Sequence, residues 1–157
     1  MSKPTVQFLK QQVWVRDWGE ECLVIHTDRY TGKLLKMKAG TRGGLQYHQK
    51  KDEADYIISG QMLLEYDDGS GNILKKELGP GESIHIPPGA VHRETALSDC
   101  VIFEISNPVF NDRVRMEEDY GEKIESGMPT TKIDDVKEGG PEVLSELLKN
   151  PQYQVKN

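Results

Sequence analysis

Between residues 12 and 107 the chain alternates short apolar or mixed runs with turn-forming residues. Runs at 23–26, 33–38, 56–59, 61–66, 72–78, 83–86, 91–95 and 100–106 have strand length, and turn residues bound each of them. Asp67-Asp68-Gly69-Ser70-Gly71 predicts a hairpin turn, with glycine free to take positive φ. Gly79-Pro80-Gly81 and Pro87-Pro88-Gly89 predict further breaks. Many short strands at even spacing predict an all-β sandwich or closed barrel.

After Asn107 the pattern changes. Residues 112–120 are dense in charge and fit either a strand or a helical turn. Residues 121–140, with Gly, Pro, Ser and Thr, predict a segment that wraps the body or moves. A short helix is predicted at about 142–149, with Pro141 suited to its first position and Pro151 just past its end. Val143, Leu144, Leu147 and Leu148 form its apolar face. The expected division is a barrel with N-terminal lead strands over 1–111 and an extension over 112–157.

Composition narrows the class. The 157 residues fit one domain, and 36% hydrophobic residues suffice for a modest core. No apolar run exceeds four residues, against the ~20 needed to span a bilayer. The first ten residues hold no apolar stretch of the signal-peptide kind. The expectation is a cytoplasmic protein without a membrane partner. A net charge of −6 argues against a nucleic-acid partner. That charge is uneven: residues 112–157 carry 11 acids and 7 bases, whereas residues 1–111 carry 15 and 13. The predicted barrel is nearly neutral and the extension acidic. Cys22 and Cys100, both inside apolar runs, read as reduced core thiols.

The four histidines, at 26, 48, 85 and 92, carry the candidate chemistry. His48 lies in Gly40-x5-Gln46-x-His48-x4-Glu53-x6-Gly60. Residues two apart on a strand share a face, about 6.5–7 Å apart, so Gln46 and His48 can address one point. A short turn then lets Glu53 aim back at it. His92 lies in Gly81-x5-Pro87-x-Gly89-x2-His92, a strand, a tight turn and a strand start. Imidazole and carboxylate suit a first-row metal, and two His with one carboxylate also suit non-haem iron. Gln46 would add a neutral oxygen.

These two stretches resemble the paired motifs of the cupin superfamily. Eight of the ten motif positions match in type and spacing; Gln46 stands for the first His and Ala96 for the final Asn. The resemblance implies a cupin (double-stranded β-helix, or jelly-roll) barrel. A narrower resemblance is to type II mannose-6-phosphate isomerase domains and their small stand-alone relatives. It rests on Leu45-Gln46-Tyr47-His48, on Ile86 through His92-Arg93, on Asp112-Arg113-Val114-Arg115 leading to Tyr120-Gly121, and on Trp18-Gly19. It implies Gln46, His48, Glu53 and His92 as metal ligands, with zinc the usual ion and manganese, iron or nickel as alternatives. It also implies a homodimer paired through an edge or swapped strand, for which residues 12–16 are suited. Three polar positions of that family depart here, to Lys51, Ala54 and Glu122, so the resemblance carries to metal binding more than to mannose 6-phosphate itself.

The functional expectation is an isomerase or epimerase of a sugar or sugar phosphate. An iron or manganese dioxygenase and a non-catalytic sugar sensor are the alternatives. His85 and Lys51 are candidates for proton transfer, Arg115 and Glu104 for substrate contacts. His85 alternates with Ile84 and Ile86, so it faces either the pocket or the outside. The inward side of Glu104 is open in the same way. Arg93, next to His92, is expected to point away from the metal, and His26 to be structural.

Overall fold

The computed structural model describes residues 2–147 and 149. Its strands are β1 (Gln12–Arg16), β2 (Gly19–His26), β3 (Thr31–Met37), β4 (Gln46–His48), β5 (Glu53–Ser59), β6 (Met62–Asp67), β7 (Ile73–Leu78), β8 (Ser83–Ile86), β9 (His92–Ala96), β10 (Cys100–Ser106) and β11 (Arg113–Arg115). Each predicted run coincides with one of them. β2 and β5 start earlier than their apolar runs, because the polar residues from Gly19 and from Glu53 are held by pairing with β1 and with β8 and β10. The strands form two antiparallel sheets, β1-β2-β3-β10-β5-β8 and β11-β4-β9-β6-β7. They make a barrel, as the strand spacing allows, in the jelly-roll form that the motif resemblance implies.

The inward faces share one gradient. Along β5 the inward residues run Ile57, Asp55, Glu53; along β10, Ile102, Glu104, Ser106; along β9, Ala96, Glu94, His92. One end of the barrel is therefore apolar. Met37, Ile57, Met62, Leu64, Leu78, Ala96, Cys100 and Ile102 pack there as one buried cluster. The other end collects the polar groups and opens to solvent. Gly60 shows how tightly the floor is closed: its φ is +81°, and a Cβ there would sit 2.2 Å from the Asp99 carbonyl oxygen. Cys22 and Cys100 are buried free thiols, as expected.

The extension returns to the barrel. The ambiguous 112–120 stretch contains both predicted forms, strand β11 and then a 3₁₀ turn at Glu118–Tyr120. β11 pairs with β4, and Tyr120 donates a hydrogen bond to Asp67 on β6. Residues 126–131 wrap: Arg115 donates to the carbonyls of Ser126 and Met128, and Gln49 to that of Thr131. Helix α1 (Pro141–Leu147) begins one residue before the predicted start, with proline at its first position. Leu148 of the predicted apolar face and Pro151 lie outside the described residues. Leu144 is buried with Trp14, Leu23 and Phe110, and Leu147 packs against them.

That cluster gives a test of docking. Leu144→Ala removes a side chain only 2% exposed, and the cost expected for such a cavity is about 2–4 kcal/mol. It is read as a lowered denaturant midpoint, and an unchanged midpoint would mean that the helix contributes nothing to barrel stability.

Candidate metal centre

Two turns bring the motifs together. β4 presents Gln46 and His48 on one face, and residues 49–52 turn the chain so that Glu53 opens β5. Gly89, at φ +87°, donates its N–H to the carbonyl of His48 at 2.8 Å. The second turn is thus tied to the strand that carries the first histidine. His92 then opens β9 directly across from Gln46.

The result is a convergence on one point. His48 Nε2 lies 3.4 Å and His92 Nε2 3.3 Å from the same oxygen, Glu53 Oε1. All three side chains are buried, with donor atoms within 4.8 Å of one another. The other nitrogen of each ring is engaged: His48 Nδ1 is 2.9 Å from Asp112 Oδ1, and His92 Nδ1 is 2.9 Å from the Ala90 carbonyl oxygen. Both partners accept only, so a neutral ring bonded in this way turns its Nε2 lone pair toward Glu53. Two such lone pairs and a carboxylate oxygen at a buried point are the donor set of a first-row divalent ion. Gln46 lines the same cavity beside His92.

A chain of alternating charge leads away from this point. Lys51 is ion-paired with Glu53 and lies 3.1 Å from Glu104 Oε2. Lys33 lies 3.6 Å from that oxygen and 2.8 Å from Glu21, which meets Arg16 at 2.8 Å. The open question about Glu104 is thereby answered: it is buried on the inner wall and lines the cavity. Lys51 is also brought to the site.

The charges push one another's pKa values apart. Burial alone would raise Glu53, but the Lys51 ammonium and the neighbouring His48 and His92 rings hold it well below the usual range. Glu104 is raised, by burial and by the charge of Glu53, against the pull of Lys51 and Lys33. Burial opposes a charge on Lys51, yet Glu104 and Glu53 keep it an ammonium well above the usual range. Asp55, buried beneath Glu53 with both carboxyl oxygens unpartnered, is raised well above its ordinary value by burial and by Glu53 and Glu104. Asp112 would be raised by burial; His48 and the backbone N–H groups of Lys50 and Lys51 lower it to about 2.

One expected residue is placed elsewhere, and another is held by protein partners. His85 sits on the outer face of β8, 64% exposed, with Nε2 2.6 Å from Asp52 Oδ1. Ile84 and Ile86 take the inward positions opposite Asp55 and Glu53, so His85 does not reach the cavity as a base. Arg115 lines the cavity, but its guanidinium donates to Glu117 and to the Ser126 and Met128 carbonyls. It braces the wrapping segment from the cavity wall. Arg93 bridges Glu65 and Glu122. Sequence reasoning missed Asp112, Glu94, Asp55 and the Glu21–Lys33 pair. Glu94 carried a signal, since it is two residues from His92 and so shares its face. These groups line or underlie a cavity of about 360 Å³.

Residues 33–106 match the family described as Cupin domain. Over 77 residues the chain is 35% identical to mannose-1-phosphate guanylyltransferase of Escherichia coli (strain K12), a stretch covering 49% of this chain and 15% of that protein. Among solved structures it resembles oxalate decarboxylase of Bacillus subtilis, with a TM-score of 0.62 and 16% identity over 87% of this chain and 46% of the other. It also resembles the capsular polysaccharide assembling protein CapF of Staphylococcus aureus, at 0.53 and 20% over 82% and 34%. KdgF from Halomonas sp. gives 0.50 and 22% over 58% and 86%. At these identities the structural likeness is one of fold. Residues 33–106 thus carry the match to the Cupin domain, and the two-sheet barrel around them is consistent with the cupin fold. No helix among the described residues is long and apolar enough to cross a membrane.

The site carries a pH signature in the metal-free protein. Burial opposes a charge on His92, but Glu94 and then Glu53 raise its pKa from 6.5 to about 9. A raised folded pKa stabilises fully below the unfolded value and loses that contribution as pH climbs through about 9. The stability difference between wild type and His92→Gln is expected to shrink by roughly 3 kcal/mol between about pH 6 and pH 10. Chemical denaturation across that range checks it, and a constant difference would contradict a charged His92.

Proposed function

We propose that this cupin is a divalent-metal-dependent isomerase or epimerase of a small sugar or sugar phosphate. The observation that carries the reading is the convergence of His48, Glu53 and His92 beside a carboxyl and an ammonium whose proton affinities are both raised, Glu104 and Lys51. The sugar phosphate in the name of the Escherichia coli relative supports a carbohydrate ligand, as does the motif resemblance to type II mannose-6-phosphate isomerase domains.

In this reading Gln46, His48, Glu53 and His92 hold one ion, zinc by resemblance, with manganese, iron or nickel as alternatives. Such an ion supplies Lewis-acid polarisation of a substrate carbonyl. Lys51, kept cationic, stabilises the negative charge that develops on substrate oxygen. It is a poor base for the same reason. Glu104, whose raised proton affinity makes its carboxylate a stronger base, takes the proton from the carbon beside the carbonyl and returns it to the neighbouring carbon, or to the opposite face of the same carbon. No electrons are gained or lost overall.

The two-His, one-carboxylate donor set also favours a second reading, an iron or manganese oxygenase. Iron-dependent oxygen uptake on substrate addition would select it. The isomerase reading expects solvent deuterium at C1 or C2 of at least one member of a panel of aldoses, ketoses and their phosphates. The panel is incubated with metal-loaded protein in deuterated water, and no incorporation into any member overturns the reading. Glu104→Gln is expected to lower turnover by ~10²–10⁴-fold with metal content unchanged; equal turnover removes Glu104 from proton transfer. By the motif resemblance this reading also includes a homodimer paired through Gln12–Arg16, the end strand of its sheet among the described strands. Sedimentation at twice the chain mass is expected, and a monomer at all concentrations refutes it.

A further inference from the structure

We propose that Asp112 is a positioning residue that locks His48 as the Nδ1–H tautomer, so that the segment after the barrel completes the metal centre. The inference rests on reading His48, Glu53 and His92 as a cation site, and on no particular substrate or reaction.

Asp112 lies 64 residues from His48 in sequence and outside the matched cupin stretch. It is 1% exposed, among the most buried charged groups described. Its two carboxyl oxygens serve different partners. Oδ1 meets His48 Nδ1 at 2.9 Å. Oδ2 accepts the backbone N–H groups of Lys50 at 2.8 Å and of Lys51 at 2.7 Å. The Asp112 carbonyl accepts the backbone N–H of Gln49 at 3.2 Å and its side-chain amide at 3.3 Å. One residue therefore clamps every position from His48 to Lys51.

The consequence follows from donor and acceptor identity. An ionised carboxylate only accepts, so a hydrogen bond from His48 requires the proton on Nδ1. Nε2, 3.4 Å from Glu53 Oε1, is then the atom with the free lone pair. The Nδ1 of His92 is held by a local device, the Ala90 carbonyl two residues away. His48 has no such local acceptor among its described hydrogen bonds, and the carboxylate must come from beyond the barrel. The same clamp sets the backbone of Lys51, whose ammonium meets Glu53.

Asp112→Asn separates tautomer control from mere bulk. Its single carbonyl oxygen is drawn to the two backbone N–H groups, which leaves the amide NH₂ facing His48 Nδ1. That arrangement favours the Nε2–H tautomer and removes the lone pair from the site. Two-dimensional ¹⁵N NMR of ring nitrogens in metal-free protein is expected to give Nδ1–H for His48 in wild type and Nε2–H in Asp112→Asn. Zinc titration against a chelating competitor is expected to show affinity ~10–100-fold weaker in the variant.

An Nε2–H His48 in the wild type overturns the proposal even if the variant fails to fold. Weaker zinc binding with an unchanged His48 tautomer also overturns it, since Asp112 would then act only by placing the turn. If the tautomer switches while wild type binds no divalent metal, Asp112 has the proposed role and the cation-site reading fails instead.

Discussion

Arg16, Glu21, Lys33, Glu104, Lys51 and Glu53 form one file of alternating charge across the inner wall of the six-stranded sheet. Most of them are nearly out of water. A buried charge that loses its partner costs about 3–5 kcal/mol, so each member depends on the next being in register. The register is supplied by backbone pairing. Lys33 faces Glu104 across β3 and β10, and Glu104 faces Asp55 across β10 and β5. A slip of one residue in any of these strands would turn its charge outward and leave a neighbour uncompensated. The ladder is therefore a specification of alignment as much as a source of stability.

Stability comes chiefly from the opposite end. The apolar floor around Ile57, Met62 and Ile102 is fully closed, and the same strands carry it into the polar wall within two or three inward positions. A barrel this small has no separate volume for core and site. Its strands must change character along their length, which explains a hydrophobic share of only 36% in a chain that still closes a core. The extension contributes twice, through Leu144 on the second apolar cluster and through Asp112 and Tyr120 on β4 and β6.

Much of this was legible in the sequence where the physics is local. Period-two alternation and turn glycines fix the facing of Gln46 and His48 and the approach of Glu53, and the Pro-Gly turn fixes the start of His92. Glu104 was harder, because alternation shows that it opposes Phe103 and Ile105 but not which face is inside. Phe103 is half-buried and Ile105 exposed on the outer face, so an apolar residue there was no guide. His85 suffered the reverse ambiguity, resolved only when β8 is seen at a sheet edge beside β5. Asp112 was invisible as a partner of His48, since nothing in a single sequence pairs residues so far apart. It entered only as the first residue of the post-barrel motif and as part of an acidic tail.

That tail also changes how the cavity's charge should be read. By net charge alone, a nearly neutral barrel would admit an anion easily. The cavity lining holds eight acids and eight bases, several of the acids from the extension. Net charge says little about a ligand when Lys33, Lys51, Arg93 and Arg115 are each already bound to a carboxylate. Attraction at close range is set by which donors can be released, not by the sum. Glu122, where the resembling family has arginine, binds Arg93 and brings a further negative charge to the mouth. A ligand that engages Lys33, Lys51, Arg93 or Arg115 must displace a carboxylate already bound there.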